Sequence, residues 1–161
     1  MLADIQVVDN AGELPAMARV IHDYWLAKCN GRRMPRRADI DPIEISPQLL
    51  PFVQLVDVVN DDRRYVYRLN GTQDVHVRGH DPRGKSVKDA FWGPDAEDAL
   101  GCYDRVVAER APIIDPVPYD NGEFTSDFSL FLPLSDDGET VNMIIVLSTN
   151  QESKPTFNPT A

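Results

Sequence analysis

The chain runs to 161 residues, 42% of them hydrophobic and 26% charged, with a formal net charge of −10. That length accommodates one domain with its own core and needs no covalent staples. The acid excess excludes nucleic-acid binding, which depends on Lys and Arg displacing phosphate counterions, and disfavours docking on an anionic membrane.

Residues 13–28 place Leu14, Met17, Ile21, Tyr24 and Trp25 on one helical stripe, with Asn10 and Glu13 positioned to cap its start. The Arg-, Pro- and Asp-rich segment 30–47 reads as an irregular connector, with one short helical turn at Gln48-Leu49-Leu50. Two strands are expected at 52–59 and 64–69, joined by Asn60-Asp61-Asp62, with Tyr65, Tyr67 and Leu69 sharing a face. After Gly71 come short helical pieces, and then a clear helix at 94–110. Pro94 stands near its first position, acidic residues crowd its start, and Leu100, Tyr103 and Val107 form its stripe. The proline-rich segment 111–119 suits an edge strand. Strands at 127–134 and 140–149 alternate, with Phe128, Leu130, Leu132 and Leu134 on one face of the first. Val141, Met143, Ile145 and Leu147 share a face of the second. The expected fold class is therefore α+β: a five-stranded antiparallel sheet, helices over one face and an N-terminal amphipathic helix. The chain divides into an N-terminal helix at 1–30, a core at 31–149 and a disordered tail at 150–161.

The element order is similar to that of PAS domains, and several motifs agree. Tyr67-Arg68-Leu69-Asn70-Gly71-Thr72 resembles the strand leading into the first short PAS helix. The run from Gly79 to Ser86, followed by Asp89-Ala90-Phe91, resembles the pattern after it. With Tyr24-Trp25, the segment from Met34 to Pro42 and the segment from Leu132 to Gly138, the likeness narrows to PAS family five, short stand-alone bacterial proteins of alphaproteobacteria. The resemblance implies a non-catalytic sensor or protein-interaction module in signalling. It also implies a pocket between sheet and helices, lined by Tyr67, Leu69, Phe91, Trp92, Tyr103, Phe128, Leu130, Met143 and Ile145. The alternative is a filled core without a cavity, and hence a ligand-free structural adaptor. By analogy, the N-terminal helix is expected to form a homodimer, and a signalling protein is the expected partner.

Competing motifs fit less well. Gly79 to Ser86 matches the P-loop letter pattern and makes nucleotide binding the alternative function. A P-loop, however, follows a buried strand and opens a long helix, and here Gly93-Pro94 comes within seven residues of Ser86. His22, His76 and His80 form no HExxH pattern and read as exposed or hydrogen-bonded side chains. There is no haem signature, since helix 94–110 contains no His, and no flavin signature, since neither Cys29 nor Cys102 lies in the required context. Arg32, Arg33, Arg36 and Arg37 either grip a phosphorylated ligand or order the connector through Asp39, Asp41 and Glu44. No nucleophile elbow appears, so catalytic residues are none. The two cysteines lack metal or disulfide spacing and read as reduced thiols of a cytoplasmic protein. The N-terminus lacks a signal-peptide n-region, and no apolar run approaches the ~20 residues of a membrane span.

Overall fold

Two apolar stripes of the C-terminal third meet across one antiparallel ladder: Leu130 opposes Leu147, Leu132 opposes Ile145 and Leu134 opposes Met143. In the computed structural model, which describes residues 4–93 and 95–152, this ladder is the centre of the molecule. The elements in chain order are β1 (Gln6–Val7), α1 (Ala16–Cys29), β2 (Val53–Val58), β3 (Tyr65–Asn70), α2 (Thr72–Arg78), α3 (Val87–Ala90) and α4 (Ala96–Glu109). There follow β4 (Ile113–Asp115), β5 (Tyr119–Asp120), β6 (Phe124–Ser126), β7 (Ser129–Leu134), β8 (Met143–Ser148) and β9 (Gln151–Glu152).

The main sheet has the order β1-β4-β7-β8-β2-β3, antiparallel throughout. Its five larger strands are those expected, and β1 adds a two-residue sixth at the margin. Consequently β4 is not the edge strand that its flanking prolines suggest. Gln6 and Val7 pair with Ile114 and Ile113, and Pro112 contributes a carbonyl to the Val8 N–H instead of a donor it lacks.

The alternation in β7 and β8 does not separate a buried face from a wet one, because Leu130 to Leu134 and Met143 to Leu147 are buried at every position. Helices α2 to α4 cover one face. On the other, Ile21 and Trp25 of α1 and Met34, Ile40, Ile45 and Leu49 of the connector join the same core. The Trp25 indole N–H donates to the Pro133 carbonyl at 2.8 Å and ties α1 to β7. Asn10 caps a separate turn at Ala11–Glu13, while α1 itself begins after Pro15.

One irregularity changes the reading of β3. Leu55 opposes Leu69, but Val56 opposes Tyr67, so Arg68 is an extra residue in the ladder. Such a bulge flips the side-chain alternation. Tyr65 and Tyr67 face the helices α2 to α4, whereas Leu69, expected beside them, faces the opposite side and is half exposed. At the far end, Gln151 and Glu152, expected in a disordered tail, pair with β6 in a small second sheet of order β5-β6-β9. Residues 153–161 of that expected tail, and Pro94, lie outside the described residues.

Candidate ligand cavity

The site begins with a close approach. Gly71 ends β3 with its N–H donating to the Val53 carbonyl at 2.8 Å, and a Cβ there would lie 2.3 Å from the Pro51 carbonyl oxygen. Only glycine lets the chain turn so tightly under the connector to start α2. One turn into α2, Asp74 and Arg78 stand four residues apart on its inner face, each with a side chain only 2% exposed. Their ion pair measures 2.8 Å. Arg78 also donates to the Ala90 carbonyl (2.8 Å) and the Tyr67 hydroxyl (3.1 Å), joining α2 to α3 and β3. Asp74 accepts from the Asn70 and Asn150 amides at 2.7 and 3.2 Å. The guanidinium is thus neutralised and largely satisfied where burial would otherwise be costly.

Beside this network Tyr103 of α4 stacks on Tyr65 (5.0 Å between centroids) and meets Phe131 edge-on at 5.2 Å. Between these rings and the sheet lies a cavity of about 190 Å³. Gln54, Val146 and Ser148 form its floor, Tyr67, Arg78, Phe91 and Cys102 stand in its walls, and Trp92, Tyr119 and Phe124 lie over it. Trp92 stacks on Phe124 at 3.5 Å and so joins the small second sheet to the α3–α4 loop.

The polar lining is distinctive. Gln54 is 3% exposed, yet its side-chain amide makes no hydrogen bond among the described residues and borders the cavity. The buried Tyr103 hydroxyl likewise has no partner there. Burial holds the Tyr67 and Tyr103 phenols above the usual tyrosine range, so both are neutral at physiological pH. Burial, then the Asp115 and Asp98 carboxylates, push the Cys102 thiol up to about 12, which makes it a spectator in the wall and not a nucleophile.

Of the residues expected to line the pocket, Tyr67, Phe91, Trp92 and Tyr103 do so. Leu69, Phe128, Leu130, Met143 and Ile145 do not: they belong to the opposite face of the sheet, toward α1 and the connector. The apolar stripe of β7 and β8 was the stronger pattern, but it marks the face that is filled. The cavity face carries the mixed set Ser129, Phe131, Val146 and Ser148. Gln54 and Arg78 were missed, although each leaves a trace: a lone amide in the apolar run FVQLVDVV, and an Asp–Arg pair at helical spacing.

The other candidate motifs have local roles. In Gly79 to Ser86, the Gly84 N–H donates to the Tyr67 carbonyl and the Lys85 N–H to that of Pro82, so these amides cradle no phosphate. Gly79 takes a positive φ of 79° as the C-cap of α2, and the helix after Ser86 has four residues. Arg32 and Arg36 pair with Asp39, whose carboxyl Arg32 chiefly holds far below its usual range. Arg33 and Arg37 donate to the Glu109 and Ile40 carbonyls, and Lys28 pairs with Glu44. His76 meets Glu152 at the surface, but His22 is buried and its Nδ1, 4.0 Å from Asp23 Oδ1, makes no hydrogen bond, contrary to the expectation of an exposed or bonded ring. Among the described residues, no three His, Cys, Asp or Glu side chains group as a metal site, and no helix is long and apolar enough to cross a membrane.

This architecture, an antiparallel sheet with a helical side enclosing a cavity, sets the class of the chain as an α+β domain. The chain belongs to the PAS domain family PAS_5, matching it over residues 15–148. Membership places it among sensor and signalling modules. A solved structure of a fungal LOV-domain photoreceptor is similar at 15% identity, covering 91% of this chain and 99% of that one, with a TM-score of 0.47. No curated protein matches.

Proposed function

We propose that this PAS chain is a non-catalytic sensor whose cavity takes up a small molecule, and whose occupancy is read by a signalling partner. One observation carries the reading: a 190 Å³ cavity into which the Gln54 amide and the Tyr103 hydroxyl turn without protein partners. Both groups border open space, so a molecule entering it can pair with them. The aromatic cover of Trp92, Tyr119 and Phe124 then supplies the apolar contact.

The test is mass spectrometry of the purified protein under native and denaturing conditions. Extra mass present only in the native spectrum, and lost in Ser129→Leu, supports the sensor. A bare chain in both, with no small molecule that shifts its melting temperature, rejects it in favour of a ligand-free adaptor.

The reading includes a cytoplasmic location and a homodimer. Because Trp25 is committed to its own core, the surface of α1 available for a second copy is the outer side, where Val20 and Leu26 are 51% and 55% exposed. Leu26→Glu is expected to give a folded monomer by light scattering; a persistent dimer would place the contact elsewhere.

A further inference from the structure

We propose that the cavity selects a small molecule with a protonated amine on a flat aromatic body, in preference to an anion or an uncharged aromatic. This deepens the ligand-site reading above and rests on it.

Among the described residues that line the cavity, the charges are unbalanced. Among the described side chains that line it, the one cation, Arg78, is already paired with Asp74, and Arg105 acts on the wall from outside the lining. Three carboxylates, Asp95, Asp98 and Asp115, border the same space, and none has an ion-pair partner among the described residues. Two of them have backbone duties: Asp95 caps α4 by accepting from the Glu97 and Asp98 amides, and Asp115 accepts from the Val117 N–H. The half-buried Asp98 carboxylate accepts no hydrogen bond from a described residue. It lies in the first turn of α4, where the helix N-terminus stabilises a negative charge without a cation. The field of these groups repels an entering anion and attracts a cation, and the low-dielectric walls strengthen it.

Acidity alone would not specify a ligand. The independent observation is Gln54, an amide more than nine-tenths buried that borders the cavity and is unpaired within the protein. With the Tyr103 hydroxyl it offers a donor and an acceptor to a neutral polar group of the ligand. The rings of Trp92 and Tyr119 complete the match, since aromatic faces attract both a flat apolar body and a nearby cation.

The experiment uses three probes that share one phenol ring: tyramine, para-cresol and para-hydroxyphenylacetate. Binding is measured by calorimetry and by melting temperature on the full chain. Tyramine is expected to bind at least about tenfold more tightly than para-cresol, with the acetate weakest. Asp98→Asn and, separately, Asp115→Asn are expected to shrink the preference for tyramine, while Gln54→Leu weakens tyramine and para-cresol alike. Circular dichroism confirms that each variant is folded. Equal or tighter binding of para-cresol or the acetate would overturn the charge selection while leaving the ligand site standing, as would an unchanged preference in both Asp variants. If no probe binds, the molecule released from the native protein decides: an amine upholds the proposal, and an anionic or neutral compound overturns it. A protein that binds no probe and carries no ligand overturns the selection and the ligand site together.

Discussion

Arg78 is the side chain on which the helical layer turns, because one guanidinium reaches Asp74, Tyr67 and the Ala90 carbonyl. Replacing it with Met would leave the Asp74 carboxylate buried without its counter-charge, a change expected to cost about 3–5 kcal/mol. Urea unfolding measures this directly, and the double variant Asp74→Leu with Arg78→Met is expected to recover much of the loss. His22 carries the opposite liability. Burial lowers its pKa below the ordinary 6.5, with Asp23 opposing only in part. The unfolded chain therefore takes up the proton first as pH falls, and the stability linked to a neutral His22 is complete above about pH 6.5 and declines below it. Unfolding free energy is expected to fall between about pH 7.5 and pH 5.5, with a shallower slope in His22→Gln; parallel slopes would assign the decline to other groups.

At the scale of elements, the junction of β3 and α2 is the most constrained point. A Cβ at Gly71 would press into the Pro51 and Leu50 carbonyl oxygens, at 2.3 and 2.7 Å, and backbone cannot step aside as a side-chain tip can. Gly71→Ala is expected to destabilise the fold by about 1–3 kcal/mol through this overpacking, read as a lowered denaturation midpoint. Gly79→Ala, where no atom lies within 4 Å of the added carbon, isolates the separate cost of a positive φ. The Arg68 bulge belongs to the same region. It keeps Tyr65 and Tyr67 with the helices and sends Leu69 to the other face, which simple alternation across RYVYRL does not anticipate.

At the scale of the molecule, the cavity is closed by the weakest part of the fold. The second sheet is built from strands of two and three residues, held by the Trp92–Phe124 stack, the Asn150–Asp74 hydrogen bond and an exposed His76–Glu152 pair. Surface pairs of that kind contribute about 0–1 kcal/mol, so the flap opens at far lower cost than the β7–β8 ladder. Hydrogen exchange is expected to be fastest in 119–126 and 151–152, slow in β7 and β8, and slowed in the flap when the cavity is filled. Ligand-insensitive exchange in the flap would remove it from the sensing mechanism.

The α+β class, the five principal strands, α1 and α4 are legible in the sequence alone. All of these follow from local periodicity, turn residues and caps. Tyr67, Phe91, Trp92 and Tyr103, which the PAS resemblance implies as pocket residues, border the cavity. Which face of the sheet is hollow depends on how the helices and the connector pack. Leu130, Met143 and Ile145 alternate as cleanly as any pocket lining, but α1 and the connector cover that side and fill it. Periodicity reports that a face is buried, not what buries it. The cavity face is written in Gln54, Ser129, Ser148 and Arg78, polar residues that look like interruptions until folding brings them around one space. Likewise β1, β9 and the flap have strands too short to carry a period, and their pairing exists only because distant segments close over the sheet.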